Sequence, residues 1–402
     1  MPKKTLGWSL ALAACLPLSL RAFEFRPVLS VDAQGGYSAF NNGGSGSGLF
    51  LGSLLAVPEF KFGSSDYLLP LLFADSTDDN LAISENAFFL DTSTLVFRPV
   101  YSHHFHGGWE LRARGEAERA FNIQTTSEQV GTGLYDFDEF GGGLEGVKRF
   151  GGGAEGAPSV SLALDWLRRG YPNFHNPGTA AYFTAVDNRN YYTRDYQGPS
   201  LNLRGEATLF GRLRTRLGYS LAWQRYTDAL LIQSDGTPNL GQFREDWYHT
   251  LALDTRFAPG AHWRAGAAFT LSYNQSNLAY FDTNVGVYEP GFYDFLATDF
   301  KPSLTWLIQG RPEGHRVTFA YDLTFRNYPG RLIRDSDGSY AQGRQADVAH
   351  GFYLTGVYAF NPHWALEVGA KALLDFSNQL YAQNINYNYQ VWGADMGVRF
   401  NL

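Results

Sequence analysis

Hydrophobic and polar residues alternate along most of the chain from Phe25 onward. In the segment 109–118, one face carries Trp, Leu, Ala, Gly and Ala, whereas the other carries Glu, Arg, Arg, Glu and Glu. A period of two is typical of a β-strand that lies between two unlike environments. The pattern therefore predicts an all-β protein. The same alternation is present in segments 201–209, 263–273, 317–325 and 364–376.

The length of these segments identifies the two environments. Strands of soluble sandwiches and propellers have about 5–6 residues, whereas a tilted strand that crosses a bilayer needs about 9–11. The segments here have about ten residues or more. We therefore predict a transmembrane antiparallel up-and-down β-barrel of about 16 strands, within a range of roughly 14–18. The candidate strands are 25–37, 49–62, 66–75, 88–101, 107–121, 135–150, 158–171, 192–210, 212–227, 243–257, 261–274, 293–309, 314–328, 345–360, 362–377 and 386–402.

The connections between these candidate strands alternate strictly between short and long. Bacterial outer-membrane barrels show this asymmetry, with tight periplasmic turns and longer external loops. An even number of strands would place both the N-terminus and the C-terminus of the chain on the periplasmic side. Two long connections, 172–191 and 275–292, are rich in aromatic residues and contain proline. Either could fold inward as a constriction or lie on the surface.

Aromatic residues recur near both ends of the candidate strands, among the apolar residues that would face outward. Trp109, Trp263 and Trp364 each follow a short connection, whereas Trp223 and Tyr273 lie near long loops. Trp and Tyr are enriched at membrane–water interfaces. We therefore predict two aromatic girdles; the alternative is that these rings belong to an ordinary core.

The N-terminal segment has the features of a secretory signal. Residues 1–22 combine two lysines, an apolar stretch and a small residue before the expected cleavage point. This order is typical of a signal peptide that is removed from the mature protein, which leaves 23–402 as a single barrel domain. Lipidation of Cys15 is an alternative, because Leu-Ala-Ala-Cys at 12–15 resembles a lipobox.

The composition agrees with a barrel and excludes several other classes. The chain of 402 residues is 44% hydrophobic and 16% aromatic, yet its mean hydropathy is −0.25. Helical membrane proteins carry runs of about 20 apolar residues and disordered chains have few aromatic residues, so neither class fits. A single cysteine excludes a disulfide scaffold. Loss of residues 1–22 would remove three of 32 basic residues and none of 39 acidic ones, so nucleic acid is not an expected partner.

The last strand resembles the C-terminal signal of Gram-negative outer-membrane barrels, because Met396, Val398, Phe400 and Leu402 share one face. The final residue is leucine, whereas the family has an aromatic residue near its end. With these residues, the whole of 23–402 resembles the porin-like class of outer-membrane β-barrels. The resemblance implies a location in the bacterial outer membrane, contact with its lipid, and insertion by the barrel assembly machinery.

Segments 134–150 and 168–174 resemble a second group, the barrel domains that follow tetratricopeptide repeats in some bacteria. Those barrels are similar in layout to barrels that export polysaccharide or surface lipoproteins. This resemblance implies an alternative function as an export barrel with a periplasmic partner.

The polar face of each strand defines the lumen, because closure of sixteen strands leaves a water-filled interior. Basic residues cluster on the eighth to eleventh candidate strands, and acidic ones on the first, fifteenth and sixteenth. We hypothesise a transverse field that orients polar solutes and sets charge selectivity. The alternative is that these groups pair with one another as part of the wall. The predicted basic residues are Arg112, Arg114, Arg204, Arg214, Arg216, Arg256 and Arg264, and the acidic ones are Asp32, Glu116, Glu118, Glu367, Asp375 and Asp395.

No set of residues has the spacing of a catalytic or metal site. Asp246 and His249 lie near a loop, as in barrel proteases, and the short connection 103–108 holds three histidines, but neither set is specific. We therefore predict no enzyme, no cofactor and no metal. The leading interpretation is a passive outer-membrane channel for small polar or charged solutes. The alternatives are an export barrel, a barrel hydrolase, and a plugged structural or adhesive barrel.

Overall fold

The computed structural model describes residues 23–40, 47–79, 90–123, 131, 133–151, 156–174, 194–311, 314–381 and 388–402. The predicted signal peptide, 1–22, lies outside these described residues. The strands are β1 Phe23–Arg26, β2 Leu29–Phe40, β3 Ser47–Ala56, β4 Glu59–Phe62, β5 Asp66–Asp79, β6 Leu90–His104, β7 Trp109–Ile123, β8 Phe137–Arg149, β9 Ser159–Gly170, β10 Tyr196–Leu209, β11 Leu213–Ile232, β12 Pro238–Phe257, β13 Trp263–Ser276, β14 Tyr280–Asp282, β15 Val287–Glu289, β16 Phe295–Leu307, β17 Arg316–Arg334, β18 Tyr340–Ala359, β19 Trp364–Ser377 and β20 Tyr389–Asn401.

These strands form one closed antiparallel barrel. Successive strands pair with each other, and β20 pairs with β2, which closes the sheet. The segments β1 and β2 are halves of one strand interrupted at Pro27, and β3 and β4 are halves of another interrupted at Pro58, since proline donates no ladder hydrogen bond. The hairpin β14–β15 is separate. The barrel therefore has sixteen strands, and the predicted all-β up-and-down barrel is confirmed.

Two of the predicted long loops are instead strand extensions. The sequence prediction placed loops at 228–242 and 329–344, but β11 continues to Ile232 and β17 to Arg334. Each extended pair closes through a Ser-Asp-Gly turn whose glycine has a positive φ, 83° at Gly236 and 87° at Gly338. Asp-Gly is a strong hairpin signal. The prediction was wrong here because the strand period weakens outside the bilayer whereas the turn signal persists.

Large apolar side chains cover the outside of the barrel. Trp263 and Tyr273 both lie on this outer face at opposite ends of β13, ten residues apart. At about 3.3 Å per residue and a tilt of about 40°, this spacing corresponds to a height of about 25 Å. That is about the height of the apolar band of outer-membrane barrels. No helix in the described ranges is long and apolar enough to span a membrane.

Candidate functional site

The strand register places every predicted lumen residue on the inner face of the sheet. Directly paired residues of antiparallel strands point to the same side, so rows can be followed around the barrel. One row joins Glu206, Arg216 and Asp254 across three strands. Rows of this face line a cavity of about 680 Å³. The predicted girdle residues Trp109, Trp223, Trp263, Tyr273 and Trp364 lie on the opposite, outer face.

The inner charges of β7 to β9 are mutually paired. The Arg112 guanidinium donates to Glu110 at 2.6 Å and to Glu145 at 3.2 Å, and both carboxylates are buried. Arg114 donates to both oxygens of Asp165 at 2.8 Å. This section matches the alternative in which the charges neutralise one another within the wall.

The contact between Arg114 and Asp165 crosses an intervening strand, β8. Gly143 of β8 pairs in register with both residues. A Cβ atom at Gly143 would lie 2.7 Å from Cγ of Asp165. The missing side chain therefore allows the carboxylate to lie flat over the backbone and reach the guanidinium.

Three carboxylates, those of Glu116, Glu118 and Glu139, converge within 4.8 Å of one another on the same wall. Arg98 donates to Glu116 at 2.5 Å and to Glu118 at 3.3 Å. Arg169 donates to Glu139 at 2.6 Å. The two arginines offset the repulsion between the carboxylates, so this cluster also belongs to the paired part of the wall.

The end of the lumen near the short turns differs, because β10 to β13 carry an excess of positive charge there. Arg214 and Arg216 share one partner, Glu206, and Arg256 lies 3.3 Å from Asp254. A cavity of about 560 Å³ opens beside Arg214 and Arg256. Their side chains are 57% and 68% exposed although they point into the barrel.

Two more predicted arginines add to this basic arc. Arg204 lines the larger cavity, and Arg264 donates to the carbonyl oxygens of Gly260 at 2.6 Å and Trp263 at 2.9 Å. Within the described part of the chain, neither has a carboxylate within 4 Å. Five arginines against two carboxylates therefore leave three uncompensated positive charges. We define Arg204, Arg214, Arg216, Arg256 and Arg264 as the basic arc.

Acidic residues line the strands across the barrel, but they are partly neutralised. Arg399 donates to Asp32 at 3.0 Å and also contacts Glu367. Asp375 and Asp395 lie on the same inner face of β19 and β20. The basic and acidic residues therefore lie on opposite sides of the barrel, where the sequence placed them. More of the charge is uncompensated on the basic side than on the acidic side.

Near the long loops, arginines alternate with aromatic rings along the inner wall, a feature that the sequence analysis missed. The Arg169 guanidinium lies 4.1 Å from the centre of the Phe137 ring. Arg244 lies 4.3 Å from Tyr226 and 4.4 Å from Tyr293. The row continues through Arg326 and Arg331, which lie over Phe295, Phe292 and Tyr328.

A signal for this row was present in the sequence. Tyr226, Tyr248 and Tyr328 have the same parity along their strands as neighbouring inward polar residues, so period two assigns them to the lumen. The aromatic residues of the strands near the long loops were predicted only as girdle residues. A row of rings on the lumen wall was therefore not predicted.

The protease-like pair considered from the sequence is divided between the two faces of the sheet. Asp246 is buried on the inner face, where it accepts hydrogen bonds from Arg244 at 3.0 and 2.5 Å. His249 lies on the outer face, with its Nδ1 2.9 Å from the Tyr219 hydroxyl. These two side chains do not act together.

The loop 275–292 contains the hairpin β14–β15, which is fastened to the extended strands beside it. Buried Glu289 accepts a hydrogen bond from the Tyr340 hydroxyl at 3.1 Å, and Asp282 contacts Arg334. Burial opposes ionisation of Asp282, but hydrogen bonds from the Asn284 amide and Tyr340 and the charge of Arg334 hold its pKa below the ordinary value.

The other loop considered as a constriction, 172–191, lies outside the described residues from 175 onward. Its described beginning packs on the barrel rim, where the Phe174 ring lies 5.7 Å from that of Tyr135. The constriction hypothesis for this loop stays a prediction.

A closed sixteen-stranded barrel with an apolar outer face and a charged inner face defines a class, the bacterial outer-membrane β-barrel proteins, because backbone groups in a bilayer must all be paired. This chain has the fold and the two faces of that class, as predicted from its alternating sequence.

Comparison with known proteins finds similar chains among the solved structures. The sequence matches no protein-family model and no curated relative. Among solved structures, the chain is similar to Pseudomonas aeruginosa OccK2 in complex with glucuronate, at 10% identity and a TM-score of 0.47 over 94% of this chain and 96% of that chain. It is also similar to Pseudomonas aeruginosa OpdO, at 13% identity and a TM-score of 0.45 over 94% of this chain and 97% of that chain. A third similar structure is the trimer form of the outer-membrane protein OmpT of Vibrio cholerae, at 9% identity and a TM-score of 0.46 over 95% of this chain and 100% of that chain.

Proposed function

We propose that the protein is an outer-membrane channel for the passive diffusion of small polar or charged solutes, with a preference for anions. The observation that carries this proposal is the exposure of inward-pointing charges. Side chains of the basic arc, such as those of Arg214 and Arg256, point into the barrel yet are more than half exposed. Charged groups stay hydrated only where the interior is open to water.

The sign of the selectivity follows from the charge distribution. The basic arc holds three uncompensated positive charges, whereas the opposite acidic residues are partly neutralised by Arg399. Charges that line a low-dielectric passage raise the local concentration of ions of opposite sign. We therefore expect anions to carry more of the current than cations.

The test is the reversal potential of the purified protein in a planar bilayer under a potassium chloride gradient. The double variant Arg214→Ala/Arg216→Ala removes two positive charges and leaves Glu206 without its partners. Its reversal potential should shift towards cation selectivity. The matched control is Lys148→Gln, which removes a positive charge from the outer face beside Trp109.

Two results would contradict the proposal. An unchanged reversal potential in the double variant would remove the role of the basic arc. A folded barrel that conducts no ions would exclude a channel and favour a plugged structural or adhesive barrel.

A further inference from the structure

A pocket of about 300 Å³ opens on the inner wall near the long loops, at one end of the aromatic–arginine row. This size is at the lower end of the range for small-molecule sites, so it suits a ligand of one ring. Its lining is chemically mixed, with three guanidinium groups, aromatic rings, two side-chain amides and one carboxylate, that of Asp246. The residues used below are Tyr248, Asn274, Phe295, Arg326, Tyr328 and Arg331.

The Asn274 side chain is held in place in this pocket through one of its two polar atoms, whereas the other is unpaired within the described residues. The residue is 2% exposed, and its Nδ2 donates to the Tyr293 carbonyl oxygen at 3.0 Å. That contact fixes the orientation of the amide, because only the nitrogen can donate. The Oδ1 atom is buried and has no hydrogen-bond partner in the described part of the chain. A buried acceptor without a partner is costly, so a ligand hydroxyl that donates to it would be strongly preferred.

Two arginines of the pocket have unused capacity for an anion. Arg331 lies 4.0 Å from the centre of the Tyr328 ring, and its Nη2 donates to the Phe292 carbonyl oxygen at 3.4 Å. Its buried Nε has no hydrogen-bond partner among the residues that the structure describes. Arg326 lies 5.0 Å from the Phe295 ring, and its hydrogen bond to the Tyr328 hydroxyl is long, at 3.5 Å. In the described ranges, neither arginine has a carboxylate within 4 Å. By contrast, neighbouring Arg244 is already neutralised by its carboxylate partner.

The ring faces complete the description of the ligand. The rings of Tyr248 and Phe295 lie 5.6 Å apart, and those of Phe295 and Tyr328 lie 6.2 Å apart, so three aromatic rings stand side by side. Aromatic surfaces take flat, partly apolar rings, guanidinium groups take carboxylates, and the orphan amide oxygen takes a hydroxyl. A pyranose ring that carries a carboxylate meets all three requirements at once.

We propose that this pocket binds an acidic monosaccharide, a uronic acid, on its way through the barrel. The proposal rests on the proposed channel function, because it names one class of solute. Binding itself, however, does not require ion conduction, so the two proposals can fail separately.

The experiment is isothermal titration of the folded, detergent-solubilised protein with galacturonate. Galactose, which lacks the carboxylate, and cyclohexanecarboxylate, which lacks the hydroxyls, are the matched ligand controls. We expect saturable binding of galacturonate and at least tenfold weaker binding of both controls. Arg326→Gln and Arg331→Gln should each weaken galacturonate binding at least tenfold, whereas Lys148→Gln on the outer face should leave it unchanged.

Equal binding of galacturonate and galactose, or galacturonate binding by Arg326→Gln as tight as by the unmodified chain, would overturn the proposal. Failure of galacturonate to bind a protein that conducts ions would also overturn it and leave the channel function intact. Binding without conduction would support the pocket and contradict the channel. A heat-dependent shift on gels confirms that each variant is folded before titration.

Discussion

Leu164 provides a quantitative test of the lipid-facing surface. It lies near the middle of β9, five residues after Ser159, and its side chain is exposed on the outer face. Five residues at about 3.3 Å, with a tilt of about 40°, place it about 13 Å above the end of the strand. That is close to the centre of an apolar band about 25 Å high. Leu164→Arg should therefore destabilise the barrel by about 2–4 kcal/mol.

The control variant introduces the same arginine on the inner face, two strands away from Leu164. Leu164 pairs with Leu201, which pairs with Leu221, and Ser220 lies beside Leu221 but lines the lumen cavity. Ser220→Arg should cost less than about 1 kcal/mol because its charge stays in water.

The assay is equilibrium unfolding in urea from lipid vesicles, followed by tryptophan fluorescence. The expected difference changes the folding equilibrium constant by between one and three powers of ten. Equal costs for the two substitutions would refute the assignment of lipid and lumen faces.

Three further predictions concern single positions. Gly143→Ala should displace Asp165 from its arginine partner and cost about 1–3 kcal/mol in the same unfolding assay, and a cost below about 0.5 kcal/mol would contradict this. Because the pKa of Asp282 is lowered, its contribution is complete above its ordinary pKa of 3.8 and is lost only as pH falls below that value. Amide exchange in β14–β15 should therefore stay slow at pH 5, and Asp282→Asn should speed it at that pH; unchanged exchange in the variant would count against the contact. Phe210 has a positive φ of 52° and a 94% exposed side chain, so Phe210→Asn should stabilise the barrel by about 1 kcal/mol, and a loss of stability would mean that the ring has a partner.

The alternating sequence predicted the barrel because each strand borders lipid on one side and water on the other. Both environments act on every residue locally, so segments such as 109–118 carry the full signal. Outside the bilayer, as in the extension of β11 towards Ile232, both faces meet water and the alternation carries less information. In these extensions, the sequence feature that indicates a continued hairpin is the Ser-Asp-Gly turn at Gly236 and at Gly338.

The lumen was predictable in its positions but not in its contacts. Parity alone assigned Arg114 to the inner face, yet its pairing with Asp165 across β8 depends on the register of two strand pairs. The pocket around Asn274 depends on still more distant parts of the chain, since Arg326 and Arg331 come from a later strand. Such arrangements are set by closure of the whole barrel, which no local pattern contains.

Single-channel recording of the purified, folded protein in a planar lipid bilayer shows directly whether the sixteen strands enclose an open, charged lumen. We expect stepwise conductance that rises with salt concentration, with anions carrying more of the current because of the basic arc. A protein that shows the gel shift of a folded barrel but produces no conductance steps at any applied voltage would contradict it.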